Sequence, residues 1–362
     1  MWNGITKAQS SKTVLSYDCH PVLKTVENEE RRMAEKHYIR GYGLEKPFTT
    51  DNSGFSRWSV ARKNGRRVFI KEFLSPVFPS DNSGLSERLI NSKRAVCEEF
   101  YSKKDKFYKK LAKCQTGNII WVEEFFRYGN KYYIITEYVN GAVETIRTVC
   151  ALPEDKKRII AKLIAFNLSA LHEIGIVHSD LKPNNVLVKP TIEGYHTAKL
   201  IDFDASFTVD EPPKASDDVH GDFVYLAPEV FIRMRDEVGD LSEKLDIFSF
   251  GVLLHELWCG YTPWFPKEYN YLFEAVVNKA PFWLSQDLPP DVAKLIIKML
   301  SLNPTERPSA RECFCELGGV IPKIENTDDA VVKKEEARGD KRLGDKKETV
   351  IKGSPWKRAG DL

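Results

Sequence analysis

The chain has 362 residues, 42% hydrophobic and 29% charged, with a formal net charge of +2. Such a chain is expected to be a globular protein that buries one large core or two modest ones, and its near balance of charge gives no basis for nucleic acid or a membrane surface as partner. It contains no apolar run of the roughly 18 residues that a spanning helix needs and no basic-then-apolar start, so a cytoplasmic location is expected.

Residues 1–45 form an N-terminal extension with helical pieces but no recognisable motif. From Phe55 to Phe73 two strand-like runs flank Asn64-Gly65, a dipeptide that tolerates positive φ and closes a tight hairpin. A Ser/Pro/Gly-rich link over 75–85 leads into a helical stretch from about Glu87 to Lys113, with Val96, Phe100, Phe107 and Leu111 as its apolar stripe. Ile119 to Tyr138 repeats the hairpin device around Gly129-Asn130. Near residue 140 the pattern changes from strand to helix. Beyond Pro153, Ile159, Ile160, Leu163, Ile164, Leu168 and Leu171 recur at helical spacing, so a buried helix delivers the chain to the segment Val177–Val186. From about Glu325 the chain is a charged tail with few large apolar groups, and it is expected to be disordered because burial cannot offset the entropy of ordering it. The seven cysteines form no paired C-x-x-C set and fit buried, reduced thiols.

The segment Val177–Val186 reads V-H-S-D-L-K-P-N-N-V and carries the most chemistry. Asp180 can accept a proton from an attacking hydroxyl, Lys182 can neutralise charge on a phosphate in flight, and Asn185 can offer an amide oxygen to a metal ion. Asp202, in L-I-D-F-D, is a second metal-ligand candidate. Together these two segments resemble the catalytic and metal-binding loops of eukaryotic-type serine/threonine protein kinases. Further motifs follow in that family's order: Lys71 in V-F-I-K, Ala227-Pro228-Glu229, Asp246, G-Y-T-P-W at Gly260–Trp264, and Arg307.

The resemblance implies an α+β, bilobal fold, with a small antiparallel-sheet lobe over about 46–139 and a larger helical lobe over about 140–318. It implies ATP and Mg²⁺ as cofactors and a protein with a Ser/Thr acceptor as substrate. Lys71 would hold the phosphates and pair with a helix glutamate. Glu98 and Glu99 are the adjacent candidates, with Glu99 preferred, although counting back from the next strand puts Lys104 near the family position. Thr136 would guard the adenine pocket, and Glu137 and Val139 would offer it a backbone carbonyl and N–H. His178 would pack on Phe203, Asp246 would bind the catalytic-loop backbone, and Glu229 would pair with Arg307.

The sequence departs from the family in both nucleotide handling and control. The phosphate-covering loop has Asp51, Ser53, Ser56 and Trp58 at the family's motif positions, with only Gly54 among them, so Ser53, Gly54 and Trp58 are its nucleotide-contact candidates. Phe69 replaces a small residue over adenine. Ser179 stands where many regulated kinases carry arginine, Asp204 replaces the glycine after Phe203, and Asp222 replaces a threonine. Acidic residues at 210, 211, 217, 218 and 222 suggest a basic acceptor peptide, and a solvated acidic loop accounts for them equally well. A pseudokinase scaffold and a small-molecule phosphotransferase of the aminoglycoside-kinase kind are the alternatives. Ala227-Pro228-Glu229 and Arg307 argue against the latter.

Overall fold

The computed structural model describes residues 38–51, 54, 56–80, 84–114, 116–141, 146–213, 221–236 and 240–320. The expectations for most of the N-terminal extension, for Ser53 and for the charged tail lie outside the described residues.

Strands β1 (Tyr38–Ile39), β2 (Tyr42–Leu44), β3 (Ser56–Lys63) and β4 (Arg66–Phe73) precede helix α1 (Glu87–Leu111), which is followed by β5 (Val122–Tyr128) and β6 (Lys131–Glu137). The strands form one sheet in the order β1-β2-β3-β4-β6-β5. Asn64 and Gly65 take φ of 50° and 78°, the left-handed pair that a two-residue hairpin between right-twisted strands requires. Central position makes β4 the best-buried strand, so Lys71 is delivered to the interior from a backbone fixed on both sides.

The side chain of Ser86 caps α1 by accepting from Leu89 N. This helix packs through Phe100, whose ring meets Phe73, Phe125 and Tyr132 at centroid distances of 5.2–6.3 Å. The apolar stripe differs by one residue from the sequence expectation. Val96 is 56% exposed, whereas Cys97, Phe107, Tyr108 and Leu111 are buried. Neighbouring helix positions differ by about 100° in direction; Cys97 and Tyr108 point within about 20° of each other and with Leu111 set the inward face, which leaves Val96, about 100° from Cys97, outside it. Lys104 lies in phase with this inward stripe.

The helical lobe contains α2 (Ile146–Val149), α3 (Glu154–Glu173), β7 (Ile176–Val177), β8 (Val186–Pro190), β9 (His196–Leu200), β10 (Phe207–Thr208), α4 (Pro228–Asp236), α5 (Lys244–Cys259), α6 (Leu272–Val277), α7 (Pro290–Met299) and α8 (Ala310–Glu316). Ile160, Ile164, Leu168 and Leu171 of α3 are fully buried, as the spacing predicts. Helix α5 is buried on every side, and at Gly251 an added Cβ would lie 3.0 Å from Met299 Cβ, so the glycine lets α5 and α7 approach. Strand pairs β7–β10 and β8–β9 bracket the loop between β7 and β8. Below them Arg307 is 1% exposed and grips Glu229 through two bonds of 2.6 and 2.8 Å.

The architecture is the bilobal α+β arrangement. Its main core runs from Phe73 and Tyr132 through α3 to α5 and α7, and a smaller cluster around Ala61, Val68, Ile70 and Ile135 fills the other face of the sheet. Among the described residues no helix is long and apolar enough to cross a membrane. The six described cysteines are free thiols, but only Cys97 and Cys313 are buried as expected; Cys114, Cys150 and Cys259 are half-buried and Cys315 is exposed.

Candidate active site

The loop after β7 is fixed from beneath by α5. Asp246, wholly buried, accepts the backbone N–H groups of His178 and Ser179, each at 2.8 Å, and also meets His172 Nε2 at 3.0 Å. These bonds hold Ser179 at φ 66°, a left-handed conformation that a side-chain-bearing residue adopts only when its surroundings impose it. The His178 ring packs on Phe203 with centroids 4.9 Å apart, and its Nε2 lies 3.1 Å from Ile201 O. His178 thus joins the two loops.

Asp180 follows directly. Asn185 Nδ2 donates to its Oδ2 at 2.9 Å and to its backbone carbonyl at 2.7 Å, while Asp222 N donates to its Oδ1 at 3.1 Å. Lys182 Nζ lies 2.9 Å from Asp180 Oδ2 and 3.9 Å from Asp222 Oδ2. A carboxylate restrained by this many donors has one orientation, which is what a proton acceptor in phosphoryl transfer needs.

The structure brings Lys71 to Asp202, at 2.8 Å, and to Asp204, at 3.0 Å. Burial alone would lower the Lys71 pKa, but Asp204 and Asp202 beside it carry it above that of a free lysine. For Asp202, burial acts upward and the adjoining Lys71 charge and hydrogen bond win, holding its carboxyl below the usual range.

The expected pairing of Lys71 with Glu99 is not found. Glu99 is exposed and meets Lys103 at 2.7 Å on the outer face of α1, and Glu98 is exposed as well. The helix phase accounts for this, since both residues flank the inward stripe and neither lies in it. Lys104 occupies the inward position and donates to the backbone carbonyl of Asp204 at 2.8 Å. Burial lowers its pKa, opposed by Asp204. Lys104, Asp204 as a partner of Lys71, and the buried Tyr108 beside them belong to the site without having been singled out for these roles from sequence. A lysine in register with Phe100, Phe107 and Leu111 was the available signal.

The cleft between the lobes is lined by Lys71, Thr136, Glu137, Val139, Asn185 and Asp202, and its apolar walls include Val122, Leu187 and Ile201. Trp58 and Phe69 also line it, stacked on each other at 5.2 Å and 25°, with Trp58 Nε1 donating to Asp51 O at 2.8 Å. The side chain of Glu137 is turned away to Lys199 Nζ, at 2.6 Å, and Trp121 N, at 2.9 Å. Gly54 is exposed with open space around it, and Ser56 is buried and donates to Asp204 Oδ2 at 3.2 Å.

Asn185 and Asp202 suit a magnesium ion. The Asn185 amide nitrogen is committed to Asp180, which leaves its oxygen for a cation, and Asp202 adds carboxylate oxygen. Among the described residues no group of three or more His, Cys, Asp or Glu side chains could hold a metal alone. A hard ion that takes few protein oxygens and completes its shell with water and phosphate fits that donor set.

A family model described as the protein kinase domain matches residues 92–316, a span that begins in α1 and leaves out Lys71 and the phosphate-covering loop. The chain is 31% identical over 219 residues to a probable myosin light chain kinase of Dictyostelium discoideum, covering 56% of this chain and 66% of that protein. It is 29% identical over 212 residues to a calcium/calmodulin-dependent protein kinase of Emericella nidulans, covering 56% and 49% respectively. A serine/threonine-protein kinase of Drosophila persimilis is 34% identical over 185 residues, covering 48% of this chain and 23% of that protein. The chain thus spans less than two thirds of the length of these curated relatives.

Proposed function

The chain belongs to the protein kinase family, and on that premise we propose that it transfers the γ-phosphate of ATP to a serine or threonine hydroxyl of a protein. The observation that carries the proposal is the convergence on Asp180 of Lys182, Asn185 and the Asp222 backbone, next to a cleft that holds Lys71 and Asp202. Asp180 orients the acceptor hydroxyl and takes its proton, and Lys182 compensates charge on the phosphoryl group in transit. Lys71 holds the α- and β-phosphates, and the backbone of Glu137 and Val139 receives adenine. Asn185 and Asp202 would hold Mg²⁺, which neutralises phosphate charge when bound.

Purified protein given labelled ATP, Mg²⁺ and a generic basic protein should produce labelled phosphoserine or phosphothreonine, and Asp180→Asn should abolish it. Absence of label above that control in a folded protein, across several acceptors, would overturn the proposal. The Trp58–Phe69 stack favours one second reading, a scaffold with impaired nucleotide binding. If those rings fill adenine space, Phe69→Ala strengthens ATP binding; unchanged or weaker binding counts against filling.

A basic acceptor peptide is supported mainly by Asp222, which adjoins Asp180 and Lys182. Asp210 and Glu211 are drawn to Lys110 and Lys106 of α1, which reduces their contribution to a free acidic surface. Residues 217 and 218 lie outside the described residues. A peptide library with no preference for Lys or Arg near the acceptor would overturn this refinement.

A further inference from the structure

The charges around Lys71 are distributed differently from those that a lysine–helix-glutamate pair would provide. Lys71 touches two carboxylates, and both come from the loop after β9: Asp202 Oδ1 at 2.8 Å and Asp204 Oδ2 at 3.0 Å. The helix facing them contributes a cation. Lys104 lies among Phe73, Phe107 and Tyr108, with its ammonium 5.8–6.0 Å from each ring centre, and donates to Asp204 O at 2.8 Å. A third element joins through Ser56 Oγ, 3.2 Å from Asp204 Oδ2.

Resting on the kinase reading above, we propose that Asp204 is the positioning residue for Lys71, doing from the metal-binding loop what a helix carboxylate would otherwise do, and that Lys104 holds Asp204 in place through its backbone. The two departures compensate each other. A carboxylate after Phe203 supplies the anion that α1 lacks, and a lysine on α1 compensates for the added negative charge of Asp204. With Lys71 and Lys104 positive and Asp202 and Asp204 negative, the four side chains are balanced as a set. If Lys104 were a glutamate while Asp204 remained, three carboxylates would converge on a single lysine, and like charges in a buried site strongly disfavour one another. Asp202 has a competing use as a metal ligand. A second anion on Lys71 keeps the ammonium in place while Asp202 serves the ion.

The test uses the full chain and two readouts, calorimetric affinity for ADP without Mg²⁺ and steady-state kinetics with ATP. Asp204→Asn keeps the shape and removes the charge, so ADP affinity should fall about tenfold or more, the worth of one charge-assisted contact, and KM for ATP should rise in step. Asp204→Gly alone should be similarly impaired, and Asp204→Gly with Lys104→Glu should regain most of the loss, because the anion is then supplied from α1. Wild-type affinity and KM in Asp204→Asn would overturn the inference while leaving the kinase reading intact. So would a lowered melting temperature with unchanged binding, the mark of a purely structural role, or a double variant no better than Asp204→Gly. A wild-type protein that binds no nucleotide would overturn the kinase reading and the inference together.

Discussion

Asp246→Asn removes one charge and leaves the side-chain shape, so its effect can be worked from the bonds it breaks. Asp246 serves three donors with two oxygens: Oδ1 takes Ser179 N, and Oδ2 takes His178 N and His172 Nε2. Asparagine keeps one oxygen. Directed at His178 and His172, it turns its NH₂ toward the Ser179 N–H, a buried donor facing a donor. The orphaned N–H costs about 1–3 kcal/mol, and the remaining bonds weaken from charge-assisted to neutral. The sum is about 3–5 kcal/mol, the usual loss when one partner of a buried charged cluster is removed. Urea denaturation followed by tryptophan fluorescence measures it. Because Asp180 follows Ser179 directly, the folded fraction should also lose kcat by about tenfold or more with little change in KM for ATP, since misalignment worth about 1.4 kcal/mol suffices. A stability loss below about 1 kcal/mol together with kcat within about twofold of wild type would refute the reasoning, showing that the loop holds its shape without the carboxylate.

Glu229→Gln should destabilise by about 3–5 kcal/mol in the same assay, because Arg307 is left buried with its charge uncompensated; a loss under about 1 kcal/mol would contradict the burial argument. Glu99→Gln should leave ATP affinity and turnover at wild-type levels by calorimetry and kinetics, since Glu99 meets Lys103 on the outer face of α1. His255 receives Ser285 N at Nε2 and donates from Nδ1 to Tyr261 O, so the fold requires the neutral ring, and burial lowers its pKa. The unfolded chain then binds the proton first: stability is full above about pH 6.5 and declines as pH falls below it toward the lower folded value. Urea midpoints at pH 7.5 and 5.5 should differ less in His255→Gln than in wild type, and parallel declines would exclude His255 as a cause.

Local signals were legible where one short segment fixes its own geometry. Asn64-Gly65 forms the hairpin turn because two consecutive left-handed residues are a property of that dipeptide. The loop from His178 to Asn185 could be read because its donors and acceptors lie within a few residues, as in the Asn185–Asp180 bonds. The phase of α1 was harder. Val96 and Cys97 are both apolar, and which one faces inward depends on where Phe73, Phe125 and Tyr132 place the Phe100 ring. The pairing of Lys71 was illegible because Asp204 is 133 residues away and glutamates at 98 and 99 offered a nearer partner. Only the fold shows that the carboxylate on the loop reaches the lysine and those on the helix do not.

Those same contacts bear on control. Asp204 is tied to β4 through Lys71, to β3 through Ser56 and to α1 through Lys104, while Phe203 is packed on His178. Swinging this loop out of the cleft would break all four contacts at once. A phosphorylated activation segment ordinarily stabilises such a site by pairing with an arginine beside the catalytic aspartate, but Ser179 stands at that position and its backbone is held by Asp246. No cation at residue 179 is available to receive a phosphate, and the loop it would organise is already anchored from three elements. The expected outcome is that protein treated exhaustively with phosphatase, with removal confirmed by mass spectrometry, keeps its rate of phosphoryl transfer. A loss of about tenfold or more on dephosphorylation, restored by incubation with ATP, would show that the contacts around Asp204 do not suffice to hold the site in working order.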